Sequence, residues 1–200
     1  EEQDRVAIVE ELLAAGVPPD LLDETSDWTV TFYASNYNRP LILAALIKAA
    51  GPNAAALVTT HRGLPRGEGP HGGLPDYWSD LQIASMCGHA ECVRVLLSAG
   101  AGSGINDRNP INRTALDCAI RYGPRNGRRR VFPLLLAAGA TIPSDTTDAY
   151  LCKVRAVGFP AYEKAHRQAL ATKFAAKALP RLPTDVAAQV VAFAFHVGYY

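Results

Sequence analysis

The sequence predicts an all-α fold, a solenoid of stacked helix-turn-helix units with a C-terminal helical cap. Three observations carry this expectation. Alanine makes up about a sixth of the 200 residues and is bunched with Leu, Ile and Val, the composition of helices that pack closely through small side chains. Four apolar segments end alike, each stopped by glycine. Beyond them Val186 to Phe195 is apolar on almost every face of a helix, and such a helix must be buried.

Composition bounds the function. Hydrophobic residues are 48% and charged residues 20%, so disorder and a membrane bundle are excluded. A net charge of +1 supplies no global field for nucleic acid, and specific nucleic-acid recognition is not expected. The balance is uneven: residues 1 to 27 are acidic apart from Arg5, whereas the tail after Tyr150 is rich in Lys and Arg. No apolar run approaches the roughly 20 residues that span a bilayer, so no transmembrane segment is expected, while peripheral membrane or membrane-complex association stays open. Cys87, Cys92, Cys118 and Cys152 follow no C-x-x-C pattern and point to reduced core residues. They place the chain in an intracellular, reducing compartment: cytoplasmic, or an organelle such as a plastid because residue 1 is not Met.

The glycine-stopped segments are Ile8 to Gly16, Ile42 to Gly51, Cys92 to Ala101 and Val131 to Ala140. A second shared segment precedes three of them. Asp80-Leu81-Gln82-Ile83-Ala84-Ser85-Met86-Cys87-Gly88-His89-Ala90-Glu91 leads directly into Cys92. Thr114 to Ile120, with Thr114 placed as an N-cap, precedes Val131, and Thr29 to Ser35 precedes Ile42. These residues resemble the ankyrin repeat, whose period is about 33 residues. The resemblance covers residues 4 to 143 as about four repeats and divides the chain into an ankyrin repeat domain, 1–143, and a helical extension, 144–200. The first repeat, Arg5 to Gly16, is reduced to one acidic helix suited to capping a stack. Gly51 to Gly100 exceeds the period by roughly 16 residues, and the excess falls in the Gly/Pro-rich stretch His61 to Pro75, a long hairpin insertion over about 58–78.

After Pro143 the spacing predicts helices over Asp148–Ala156 and Ala161–Ala178, then a third from Thr184 to about His196. The third helix either caps the last repeat or binds another protein. Leu179-Pro180-Arg181-Leu182-Pro183-Thr184-Asp185-Val186-Ala187-Ala188-Gln189-Val190-Val191-Ala192-Phe193 resembles the opening of an F-box, which implies a Skp1-like adaptor and a cullin-type ubiquitin ligase.

No nucleophile, base or metal constellation is visible, so the chain is read as no enzyme, with no cofactor and no metal site. His89 stands at the Gly-His position of the repeat, where the resemblance implies a structural hydrogen bond. His61 and His71 lie in the insertion without Cys, Asp or Glu at ligand spacing. By resemblance, one or more protein partners bind the hairpin tips and first helices. The candidates are Trp28, Tyr33, Asn36 and Tyr37; Asp76, Tyr77, Trp78, Met86 and Cys87; and Asp107, Arg108, Asn112, Arg121 and Tyr122. Trp28 and Trp78 serve either as anchors or as packing between hairpins. Arg125, Arg128, Arg129 and Arg130 form a basic patch expected at the turn between the last paired helices, either solvated or docking an acidic protein surface or lipid head groups. The resulting expectation is a protein-protein interaction scaffold or linker subunit, with the ligase adaptor as the alternative.

Overall fold

The computed structural model describes residues 2–23, 28–59 and 78–177, together with positions 183, 185, 186, 189 and 190. It is mostly helical, at 71%, and the described residues contain no strand. The chain divides into two units, Glu1–Ala140 and Thr141–Tyr200.

Eight helices of the first unit fall in the described residues: α1 (Glu2–Ala14), α2 (Val30–Asn36), α3 (Pro40–Ala50), α4 (Ala54–Thr59), α5 (Asp80–Cys87), α6 (Ala90–Ser98), α7 (Ala115–Tyr122) and α8 (Arg125–Ala137). They form two layers. In the inner layer α2 packs on α5 and α5 on α7; in the outer layer α1 packs on α3, α3 on α6 and α6 on α8. Within the pairs α2/α3, α5/α6 and α7/α8, each inner helix also touches the outer helix that follows it.

Local chemistry sets the inner-helix boundaries. The hydroxyls of Thr29, Ser79 and Thr114 accept from the backbone N–H three residues on, satisfying a donor that the helix leaves open. Gln82 and Asp117 answer with their own side chains, completing capping boxes on α5 and α7. The glycine stops Gly16, Gly51, Gly100 and Gly139 all have positive φ. Gly88 does two jobs: it ends α5 at φ 76°, and a Cβ there would stand 2.8 Å from Pro124 Cγ and 3.0 Å from Gly127 Cα. The α5–α6 turn thus lies directly on the first turn of α8.

The core runs between the layers. Leu43, Leu96, Leu116 and Leu135 are completely buried, each worth about 1.5–3 kcal/mol of hydrophobic burial. Under the inner layer, Trp28, Phe32, Trp78, Ile83, Met86 and Cys118 make one cluster. The end helix α1 differs: none of its side chains is fully buried, and Ile8 and Leu12 are 58% and 50% exposed.

Helix α4, Ala54 to Thr59, follows directly on the 3₁₀ turn Gly51–Asn53, and positions 60–77 of the insertion expected over about 58–78 lie outside the described residues. Two expectations need correction. The arginine patch is helical: Pro124 sets the N-cap backbone and α8 starts at Arg125, running through Pro133. Finally, Pro40–Thr59 is, by length and composition alone, long and apolar enough to cross a membrane, with a mean hydropathy of 1.8 over its most apolar window. Here it is interrupted by the 3₁₀ turn, and it buries Leu43, Ala45, Leu46 and Val58.

The second unit contains α9 (Ala149–Val157) and α10 (Phe159–Lys177), which pack on each other. Asp148 caps α9 by accepting from the N–H groups of Tyr150 and Leu151. Tyr150 meets Tyr162 edge-on at 5.3 Å, and Tyr162 stacks on His166. The helix expected from Thr184 to His196, with its F-box-like opening, lies outside the described residues except at five positions, as do His61, His71 and most of the insertion.

Candidate protein-binding surface

One position recurs along the inner layer. The residue just before each N-cap is Trp28, Trp78 and Arg113 in turn, preceding Thr29, Ser79 and Thr114. Because the three caps hold the same backbone shape, these side chains start from equivalent places in consecutive repeat-like units. Trp28 and Trp78 are 9% and 7% exposed. Trp28 lies against Phe32 and Tyr33, with ring centroids 4.7 and 5.2 Å away. Trp78 lies 6.4 Å from the ring of Tyr122, at the end of α7. The Arg113 guanidinium sits 5.7 Å from the centre of that ring, and the Arg121 guanidinium 5.9 Å.

The candidates therefore separate by depth. Trp28, Trp78 and Met86 are buried, supporting the surface from beneath rather than presenting themselves on it. Their apolar bulk fills the space between successive inner helices. Tyr33 is half-buried, and its hydroxyl donates to Asp23 at 2.7 Å. It stacks on Tyr37, which is 58% exposed. Asn36 is committed inward: its carbonyl accepts from His89 Nε2 at 3.1 Å and its Oδ1 from the Cys87 thiol at 3.7 Å. Burial lowers the pKa of His89, favouring the neutral imidazole of a structural link between repeats.

Asp107, Arg108, Asn112, Arg121 and Tyr122 are exposed. Arg108 Nη1 donates to the Asn112 carbonyl at 2.8 Å and lies 3.7 Å from Asp117 Oδ2. In the basic patch, Arg128 donates to the Gly123 carbonyl and Arg130 pairs with Glu91 at 2.7 Å. Arg125 and Arg129 point to solvent. Asp76 and Tyr77 lie outside the described residues. Sequence reasoning missed Arg113; its signal was the place before a capping threonine that two tryptophans occupy in the preceding units.

Catalytic chemistry has little to work with in the described residues. No group of three or more His, Cys, Asp or Glu side chains there could hold a metal. A cleft of about 390 Å³ lined by Pro19, Asp20, Thr29, Ala49, Asn53 and Leu57 carries one carboxylate, and its threonine hydroxyl is engaged in capping α2. Asp80 is the one strongly perturbed acid among the described residues. Burial pushes its carboxyl up to about 7, against the opposing hydrogen bond of Thr31. It lies between inner helices rather than in a cleft.

Comparison with known proteins agrees with this architecture. Residues 81–110 match the ankyrin repeat family model. A stretch of 117 residues, 58% of this chain, is 30% identical to glycerophosphocholine phosphodiesterase gde1 of Schizosaccharomyces pombe. The match spans 8% of that protein's length, so it is similarity to a small part of a much longer chain. Residues 81–110, which hold α5, α6 and the turn after them, carry an ankyrin repeat within an all-α fold of ankyrin type, the architecture of a protein-protein interaction domain.

Proposed function

We propose that the chain is a non-catalytic scaffold or linker subunit holding a protein partner on its inner-helix face and the turns that lead into it. The observation that carries this reading is the contrast in depth along that face. Tyr37, Arg121 and Tyr122 are exposed on helices whose other sides are packed, and buried Trp28 and Trp78 brace them from beneath. A large ring on a rigid mount gives up little side-chain entropy on binding, which is why aromatic and arginine side chains anchor interfaces. Photo-crosslinking tests it. Benzoylphenylalanine at Tyr37 or Tyr122 is expected to capture protein in the native extract, and the same group at Ser98, exposed at the end of outer helix α6, is not. Equal capture at all three positions, or none, would overturn the proposal.

The resemblance of Leu179 to Phe193 to the start of an F-box supports a second reading, a substrate adaptor that also engages a Skp1-like protein. Ending the chain at Leu179 separates the two, because unchanged recovery of that protein would sink the adaptor role. The four free cysteines support an intracellular, reducing setting for either reading.

A further inference from the structure

We infer that the segment bound at the Tyr122 end of this face is acidic: an Asp/Glu-rich stretch of a partner protein, laid across Arg113, Tyr122, Arg121 and the opening turn of α8. The inference rests on the protein-binding reading above and adds the chemistry of the partner.

Charge is the first argument. Between Ile105 and Arg130 the chain carries seven arginines and two aspartates, with no lysine or glutamate, although the whole chain is nearly neutral. Part of this charge is already matched. Asp117 faces Arg108, Glu91 faces Arg130, and Arg128 is turned back onto the Gly123 carbonyl. Arg113, Arg121, Arg125 and Arg129 have no carboxylate within ion-pair distance among the described residues.

Helix polarity is the second. A helix N-terminus favours negative charge, yet the first turn of α8 contains no acidic residue, begins with Arg125, and is preceded by Pro124, whose side chain cannot cap it. Arginine thus adds positive charge to an end that is already positive. Carboxylates from outside would relieve both at once.

Geometry is the third. Two guanidinium groups lie 5.7 and 5.9 Å from the centre of one exposed ring, and α7 is fixed by completely buried Leu116, Cys118 and Ala119. Arginine offers a planar fork that takes a carboxylate through two parallel hydrogen bonds, while Tyr122 gives the intervening side chain of the bound segment an apolar rest. All the positive charge here is arginine, and the ring lies beside two of its members. Lipid head groups and nucleic acid share the negative charge, so they enter as competing arms of the test.

The experiment uses the full chain and fluorescence anisotropy with a fluorescein-labelled Glu-rich peptide. Its probes for comparison are the same peptide with Gln for Glu, phosphatidylserine-containing vesicles and single-stranded oligodeoxythymidine. The Glu peptide is expected to bind most tightly and to weaken with added salt. Arg113→Gln/Arg121→Gln and, separately, Arg125→Gln/Arg129→Gln are each expected to lower its affinity about tenfold. Lys164→Gln/Lys173→Gln, which removes equal charge from exposed positions on α10, should leave affinity unchanged, and circular-dichroism melts verify that each variant folds. The inference is overturned if the Gln peptide binds as well, if vesicles or oligonucleotide bind more tightly, or if the α10 variant loses as much. A protein adduct at Tyr122 whose captured segment lacks Asp and Glu would defeat the acidic preference and leave the protein-binding reading standing. Absence of any adduct would defeat that earlier reading.

Discussion

Gln82 reaches Asp107 across 25 positions of the chain: its side-chain Nε2 donates to the Asp107 carbonyl at 3.1 Å, and to that of Arg113 at 3.3 Å. The other end of the same amide, Oε1, accepts from Ser79 N–H at 3.1 Å. One side chain, 1% exposed, therefore ties the cap of α5 to the turn that delivers α7. Gln82→Leu keeps the volume and removes all three bonds. It should cost about 2–4 kcal/mol, the penalty for several polar groups left without partners, measured by urea unfolding.

Asp80 makes stability depend on pH in an unusual direction. Its carboxyl titrates near 3.8 when unfolded and near 7 when folded, because burial disfavours the charge. Between those values the native chain holds a proton that the unfolded chain has released, so stability falls as pH rises from about 4 to about 7. Asp80→Asn should raise the thermal midpoint at pH 8 and leave it nearly unchanged below pH 4. Asp80→Pro should act alike, since Asp80 is the first residue of α5 and Ser79 already holds the extended backbone that suits a following proline. A variant no more stable than the parent at pH 8 would show that the carboxylate is accommodated without cost.

The turn-to-helix contact between Gly88 and α8 gives a comparison of glycines. Gly88→Ala meets both a positive φ and a clash with Pro124 and Gly127, and should cost about 2–4 kcal/mol. Gly139→Ala has φ 93° but nothing within 4 Å, so it should cost only the backbone term, about 1 kcal/mol. Thermal unfolding of the pair checks the order. Equal losses would mean that the α5–α6 turn can draw away from α8.

Thiol reactivity follows burial. Cys92 and Cys118 are fully buried and their thiols are pushed up to about 12, mainly by desolvation. Cys152 and Cys87 are half-buried, and burial also raises Cys87. In the native chain an aromatic disulfide reagent at pH 8 should modify Cys152 first and Cys87 more slowly. Cys92 and Cys118 should react at the rate of unfolding. Four fast thiols without denaturant would contradict the packing of α6 and α7.

The parts of this molecule that were legible in its sequence are those encoded locally. Thr114 as a cap, Gly100 and Gly139 as stops, and the Gly-His turn at Gly88-His89 are each decided within a few residues, which is why the all-α architecture could be read directly. Depth was not legible. Trp28 and Trp78 look like Tyr37 and Tyr122 in a list of aromatics, and only the packing of one inner helix on the next shows that the tryptophans lie beneath and the tyrosines above. The arginine patch reads in sequence as the turn between two paired helices. Yet Pro124 serves as an N-cap, and Gly127 is small because Gly88 lies against it. Arg113 precedes α7 and Arg121 lies at its end, and the folded helix sets both beside the ring of Tyr122.

Helix α1, with no buried side chain and its main packing on α3, sets up a gradient of local opening. In a stack where each unit is held by its neighbours, an end helix separates at the cost of one interface, while α5, gripped by α2, α6 and α7, opens only with the rest. Amide hydrogens of α1 should therefore exchange orders of magnitude faster than those of α5, with α3 between them. The acidic end of the chain would then spend a measurable fraction of its time as a tethered, unpacked strand of negative charge.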